Sequence, residues 1–218
     1  MAISSLSNLG VPLDTSQSAS NQGLLMPKLA YRFRVLFENF GVTKPTTELT
    51  KQVMSAGRPS PSFDDITLDV YNSRIKLAGK AKWDDVEIKI RDDAQGNVSR
   101  LVGEQLQKQF DFYEQSSAVS GIDYKFTTLI QILDGGNGNQ YGPVVLETFE
   151  LDGCFLNKAA YSQGDYKTSD PLEITLTVRY DNAIQLNAAG SLVGIGERIR
   201  QTAGTLATGG AGGSGIPA

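Results

Sequence analysis

Apolar and polar residues alternate with a period of two along much of the chain. The longest such stretch runs from Ile66 to Asp93. Successive side chains of a β-strand point to opposite faces, so this alternation predicts half-buried antiparallel strands. The apolar positions are Ile66, Leu68 and Val70 in the first strand and Val86, Ile88 and Ile90 in the last.

Two turn signals divide this stretch. Asn72-Ser73 supplies turn chemistry before Ile75 and Leu77. Ala78-Gly79 predicts a second break, because glycine accepts backbone angles that β-branched residues avoid. The pattern therefore predicts a hairpin with a polar tip.

Further strand patterns lie on both sides of this hairpin. They cover Tyr31 to Phe37, Leu49 to Met54, Phe126 to Leu133, Val144 to Leu151 and Ile174 to Tyr180. Loops are predicted from Asp134 to Asn139, where glycine alternates with Asp and Asn, and from Asn157 to Pro171.

The period changes to that of a helix between Val98 and about Ser117, with Asn97 as its expected N-cap. Apolar residues recur there at spacings of three and four, at Val98, Leu101, Val102, Leu106, Phe110 and Tyr113. The predicted fold is therefore mainly β, a barrel or sandwich of antiparallel strands with one packed α-helix.

Composition divides the chain into three parts. Residues 1–26 are rich in Ser, Asn and Gln and are predicted to form a flexible N-terminal arm. Residues 27–186 form the β domain, and residues 187–218 a Gly- and Ala-rich C-terminal arm. Each arm carries a few apolar residues as an anchor for a neighbouring subunit, namely Leu24, Leu25, Met26, Leu192, Val193 and Ile195. For Leu24, Leu25 and Met26 the alternatives are local packing and disorder.

Charge and residue usage narrow the classes of function. The net charge of −4 and the pI of about 4.9 disfavour a DNA-gripping surface, which needs clustered Lys and Arg. One cysteine permits no intrachain disulfide. The polar start does not resemble a signal peptide, and no apolar run reaches the roughly 20 residues that span a bilayer, so no membrane insertion is expected.

No pattern predicts a catalytic, cofactor or metal site. The chain has no histidine, the commonest general base and zinc ligand. The pairs Asp64-Asp65, Asp84-Asp85 and Asp92-Asp93 lie at strand ends or turns, where adjacent carboxylates point to opposite faces. Asp134 to Gln140 lacks the terminal Glu of a calcium loop. Cys154 is predicted to be a small core residue.

The order of features from Tyr31 to Asp93 resembles the tail tube proteins of contractile-tailed bacteriophages, which are related to the inner-tube proteins of type VI secretion and other contractile injection systems. The resemblance rests on a basic hairpin with Asn72 and Arg74 at its turn and on Ala78-Gly79. Trp83-Asp84-Asp85, an alternating strand and Asp92-Asp93 follow in the same order. The remainder of the chain resembles the family more loosely.

The resemblance implies a structural protein of the virion, assembled in the bacterial host cytoplasm. Its subunits would form hexameric rings that stack into a hollow tube inside a contractile sheath. The implied partners are the sheath, baseplate and tail-terminator proteins, with viral DNA passing through unbound. Asn72, Ser73 and Arg74 are the candidate contacts between subunits, and Arg74 would pair with an acid on the next ring.

Two other interpretations remain open. An inner-tube protein of a secretion or bacteriocin-like device would share the fold and carry protein or puncture a target. A monomeric β-rich module would instead bind a ligand in a concave aromatic pocket.

Overall fold

The computed structural model describes residues 27–43, 46–135, 143–167, 169–188 and 190–193. Residues 27–32 belong to a first unit, in which the Arg32 amide donates to the Leu29 carbonyl at 3.1 Å. The second unit begins at Phe33 and contains every strand and helix described below.

Antiparallel strands dominate this second unit. The strands are β1 (Phe33–Glu38), β2 (Val53–Ala56), β3 (Pro61–Val70), β4 (Ser73–Trp83), β5 (Val86–Arg91), β6 (Phe110–Asp111), β7 (Ser116–Ser117), β8 (Phe126–Leu133), β9 (Val145–Tyr161), β10 (Glu173–Arg179) and β11 (Asn182–Asn187). The helices are α1 (Thr47–Gln52), α2 (Asn97–Gln109) and α3 (Gly121–Tyr124). The predicted mainly β class of antiparallel strands is confirmed, and α2 corresponds to the predicted packed helix.

Seven strands form the main sheet, in the order β1-β8-β9-β10-β5-β2, with β11 paired to β9. The sheet has two halves, one formed by β1, β8 and β11 and the other by β10, β5 and β2, and the 17-residue strand β9 belongs to both. The N-terminal part of β9 pairs with β8 and β11, whereas Phe155 to Tyr161 pair with β10. Gly153 lies between these parts with φ +67°, a conformation that favours glycine.

The core follows the period-two pattern of the sequence. In β5, Val86, Ile88 and Ile90 are buried while the residues between them are exposed. β8 and β10 alternate in the same way. Burial of one strand face is what the hydrophobic effect requires of a half-buried sheet. These three predicted strands are confirmed.

Helix α2 packs on this core through Val98, Leu101 and Val102, all buried. Its polar side chains hold neighbouring segments. The Glu104 carboxylate accepts hydrogen bonds from the Val42 and Thr43 amides, at 2.9 and 2.8 Å, and from the Thr43 hydroxyl at 2.7 Å. These bonds to the ionised form lower the pKa of Glu104, the Thr43 amide contributing most.

The last turn of α2 fixes strand β9. The Gln109 side chain accepts from the Leu156 amide at 2.8 Å and donates to the Leu156 carbonyl at 2.9 Å. Leu156 lies opposite Val178 where the β9–β10 register shifts. The Gln109 side-chain amide thus supplies hydrogen bonds to the Leu156 backbone N–H and C=O groups, which the irregular strand pairing leaves without a strand partner.

The helix prediction needs two corrections. α2 ends at Gln109, so Phe110 and Tyr113 do not lie on its core face. The residue before Asn97 is Gly96 in the left-handed region, and Asp93 caps the helix by accepting from the Val98 amide at 2.9 Å.

Three strand predictions also differ from the structure. The region from Leu49 to Met54 begins as helix α1, with Leu49 buried, and only then becomes β2. β9 extends to Tyr161 instead of ending before a loop at Asn157, and β11 was not predicted. The predicted loop from Asp134 to Asn139 lies mostly outside the described residues.

Candidate subunit interface

The β3–β4 hairpin is a two-stranded sheet of its own, separate from the seven-stranded sheet. Every residue of β3 is exposed, and in β4 only Gly79 and Trp83 are partly covered. Two strands alone bury too little apolar surface to be stable in water. The hairpin is therefore the part of the described chain that most needs a further packing partner.

One face of this hairpin is apolar. The register places Ile66 opposite Leu77 and Leu68 opposite Ile75, and opposite residues share a face. We call the following set the apolar face: Ile66, Leu68, Val70, Ile75 and Leu77, each 46–48% exposed. The prediction that this strand is half-buried is wrong for the single chain, because the face does not meet the core.

The opposite face carries ion pairs across the two strands. Arg74 Nε lies 2.7 Å from Asp69 Oδ1, in a directly opposed pair. A second pair on this face joins Lys76 to Asp65 at 3.4 Å. Lys82 pairs with Asp64 at 2.7 Å on the other side, the side of Ile66, because adjacent strand residues point to opposite faces. All six side chains are largely exposed, so each pair contributes little to stability, about 0–1 kcal/mol.

The tip of the hairpin lies one residue earlier than predicted. Val70 pairs with Ser73, so Tyr71 and Asn72 form the turn and Ser73 begins β4. The Ser73 hydroxyl donates to the Val70 carbonyl at 3.2 Å. Tyr71 has φ +46°, uncommon for a bulky residue, and its side chain is fully exposed. The predicted contacts Asn72, Ser73 and Arg74 thus all lie at or beside the tip.

No break occurs at Ala78-Gly79, since β4 runs unbroken to Trp83. The signal from Gly79 has a different cause. The register shifts between Phe63 and Asp65, and a Cβ on Gly79 would lie 2.8 Å from the Asp64 carbonyl oxygen. Glycine permits the close approach of the two backbones at this bulge.

The candidate contacts in the arms are only partly described. Leu24, Leu25, Met26 and Ile195 lie outside the described residues. Leu192 forms a β-bridge with Leu186 of β11, and the Val193 amide donates to the Gln185 carbonyl at 3.0 Å. Both side chains remain substantially exposed. The start of the C-terminal arm therefore adds to the free edge of β11, and its role in assembly stays a prediction.

The acidic pairs have structural roles. Asp85 accepts from Arg179 Nε at 2.8 Å and holds the C-terminal end of β10, and Asp93 caps α2. Within the described ranges, no group of three or more Cys, Asp or Glu side chains converges as metal ligands. None of the helices described is long and apolar enough to cross a membrane.

Cys154 is fully buried, which confirms its predicted place in the core. Burial raises the pKa of its thiol to about 11. The thiol is therefore neutral at physiological pH, the form that is a poor nucleophile.

Sequence reasoning missed a second exposed surface. The β6–β7 hairpin follows α2 and presents Phe110, Phe112 and Tyr113. Apolar residues continue to recur at spacings of three and four through Phe110 and Tyr113. The sequence pattern therefore predicted that the helix extends beyond its actual end at Gln109. An available signal was the acidic, Ser-rich composition after Phe110.

No protein-family model and no curated protein sequence matches the chain. Solved structures do match it. One is a chain of the anti-feeding prophage baseplate, 6-fold symmetrised, at TM-score 0.56 and 14% identity, with 76% of this chain and 99% of that chain covered.

Two other similar chains come from related assemblies. A chain of the tube-terminating cap of the anti-feeding prophage matches at TM-score 0.54 and 14% identity, covering 76% of this chain and 94% of its own. A chain of the PVC sheath–tube complex, from an extracellular contractile injection system in the extended state, matches at TM-score 0.52 and 15% identity. The match covers 79% of this chain and 99% of that chain. At these identities the likeness concerns the fold, and the chain has the tail-tube protein fold that the sequence resemblance predicted.

Proposed function

We propose that this protein is the structural subunit of a tail tube. Its subunits form hexameric rings that stack into a hollow conduit inside a contractile sheath. The observation that carries the proposal is the β3–β4 hairpin, whose apolar face is exposed in a chain with the tail-tube fold. A second subunit can cover that face, and assembly thereby stabilises a hairpin that is marginal alone.

The edges of the seven-stranded sheet also need to be covered by a second subunit. β1 and β2 end the seven-stranded order, and among the described strands none pairs with their outer edges. Such edges pair with other chains unless they are covered, and closure of strands from several subunits into one wall removes them. A ring of subunits is therefore a solution for both the edges and the hairpin.

The leading form of the proposal is a bacteriophage tail tube that conducts DNA during ejection. The net charge of −4 supports a conduit to which DNA does not adhere, since bound phosphate would slow transit. A low-salt anisotropy assay of assembled tubes with duplex DNA tests this point. Negligible binding is expected, and submicromolar, salt-sensitive binding would contradict a passive DNA conduit.

An inner-tube protein of an injection device is the second candidate. The similarity to chains from the anti-feeding prophage and from an extracellular contractile injection system favours it. Identification of the cargo inside tubes purified from the native source separates the two candidates. Nucleic acid in the lumen supports the phage tail, and protein in the lumen supports the injection device.

Negative-stain microscopy of the purified protein tests the shared part of the proposal. Six-membered rings or stacked tubes are expected. Particles that remain monomeric at high concentration would contradict it and would favour the monomeric ligand-binding module.

A further inference from the structure

The β6–β7 hairpin carries a compact surface of exposed aromatic side chains directly after helix α2. We call Phe110, Phe112 and Tyr113 the aromatic patch; these side chains are 37%, 61% and 94% exposed. The Phe110 and Phe112 rings meet edge-on with centroids 5.5 Å apart. Large exposed aromatic clusters mark interaction sites more often than isolated exposed residues do.

Hydrogen bonds order the turn that presents this patch. The Asp111 carboxylate accepts from the Tyr113 amide at 2.9 Å, the Glu114 amide at 3.2 Å and Gln107 Nε2 at 2.7 Å. These bonds lower the pKa of Asp111, the Glu114 amide contributing most. The patch is therefore a pre-formed surface with a fixed negative charge beside its rings.

Symmetry limits what the apolar face of the β3–β4 hairpin can contact in a tube. If two such hairpins packed on each other, the contact would be isologous and would close as a two-fold dimer. Rings and stacks of equivalent subunits instead need heterologous contacts, in which one surface meets a different surface of the next copy. The hairpin therefore needs a second, distinct apolar surface on the same chain.

The aromatic patch is such a surface. Within the described ranges, the densest run of exposed large apolar residues outside β3–β4 contains the patch together with Val119 and Ile122. The two hairpins also differ in charge. Residues 110–117 carry Asp111 and Glu114, a net charge of −2, whereas residues 61–83 carry three acids and four bases, a net charge of +1. Three of those bases pair with the acids, and Lys80 is the fourth.

We propose that the aromatic patch of one subunit receives the apolar face of the β3–β4 hairpin of a second copy of this chain. The inference rests on the proposed tube function and names the surfaces that meet. Phe112 and Tyr113 contribute aromatic area, and Lys80 approaches Asp111 and Glu114.

Cross-linking tests this contact without removing it. Ser73 lies opposite Val70 on the apolar face, and Ser117 lies opposite Phe110. Serine-to-cysteine changes at both positions keep side-chain size, and the native Cys154 is buried. A short bismaleimide should convert the assembled Ser73→Cys/Ser117→Cys protein into a ladder of dimers and higher oligomers on a denaturing gel.

Two controls give the result its meaning. Each single variant should form no ladder. The matched variant Ser73→Cys/Ser169→Cys, which moves one thiol to an exposed residue of the β9–β10 loop, should also form none. Tubes without a ladder from Ser73→Cys/Ser117→Cys would overturn the inference and leave the tube function standing. Failure of the wild-type chain to assemble would contradict the tube function and the inference together.

Substitution of the patch gives a second readout. Phe112→Ser/Tyr113→Ser should raise the protein concentration required for assembly by roughly tenfold or more. Tyr166→Ser removes a fully exposed aromatic side chain elsewhere and should leave that concentration unchanged. Assembly at the wild-type concentration by Phe112→Ser/Tyr113→Ser would overturn the contact.

Discussion

The Arg74 guanidinium lies 2.7 Å from the Asp69 carboxylate, directly across the β3–β4 hairpin. In the single chain, Arg74 therefore pairs within its own hairpin. Its proposed bond to an acid of the next ring would have to form in addition to this pair or in exchange for it.

Arg74→Glu should impair assembly while the monomer stays folded. The substitution places two carboxylates opposite each other on the hairpin, which is destabilising there. The original pair is highly exposed, so the free energy of unfolding of the monomer should change by less than about 1 kcal/mol. Tube yield and urea unfolding measure the two effects. The exchanged pair Asp69→Arg/Arg74→Asp should recover part of the yield; wild-type yield from Arg74→Glu alone would count against a contact at this tip.

Leu68→Lys should abolish assembly. Leu68 is 46% exposed in the single chain, so its remaining surface contributes about 1 kcal/mol when a partner covers it, and a buried unpaired ammonium costs several times more. Thr67→Lys is the matched control, because Thr67 is the adjacent residue on the polar face. Sedimentation velocity should show monomers for Leu68→Lys and assemblies for Thr67→Lys. Equal behaviour of the two variants would contradict the assignment of the faces.

Gly79→Ala should disturb the hairpin without unfolding the core. A Cβ there would lie 2.8 Å from the Asp64 carbonyl oxygen, closer than real contacts allow, so the bulge must move. Gly103→Ala in α2 meets nothing within 4 Å and should stabilise the protein by about 0.5–1 kcal/mol. Tube yield should fall for the first variant only. Normal yield from Gly79→Ala would show that the bulge has no part in assembly.

Acid should weaken the attachment of the loop after β1 to α2. The pKa of Glu104 is lowered by folding, so its contribution is fully present above its unfolded value near 4.5 and is lost as pH falls through the folded value. Glu104→Ala should cost about 2–3 kcal/mol at pH 7 and much less at pH 3. Glu104→Gln should make the free energy of unfolding less dependent on pH, and at pH 7 it should lower that free energy by less than Glu104→Ala does. Urea unfolding at both pH values measures this, and equal losses for Glu104→Ala at the two pH values would contradict the assignment.

Much of the β framework could be predicted from the sequence. β5, β8 and β10 alternate strictly, and each pairs with neighbours that bury one face, so local pattern and tertiary packing agree. Helix α1 escaped prediction because one buried residue, Leu49, anchors six residues, which is too short a segment to show a period. The end of α2 escaped because the apolar spacing continues beyond Gln109 although the backbone becomes extended at Phe110.

The candidate interface shows a different limit of sequence reasoning. Alternation in β3 and β4 correctly predicted a hairpin and its two faces. It did not reveal that the apolar face is turned away from the chain's own core, because an apolar face has the same pattern whichever chain covers it. Only the exposure of these side chains in the folded chain shows that the chain's own core does not cover them.

Amide hydrogen exchange of residues 61–83 in free and assembled protein tests the central claim most directly. A marginal two-stranded sheet opens readily, so these amides should exchange quickly in the free subunit. Assembly should slow the hydrogen-bonded ones by on the order of a hundredfold, while the amides of β5 are protected in both states. Fast, unchanged exchange of the hairpin in assembled tubes would contradict the claim that this hairpin joins one subunit to the next.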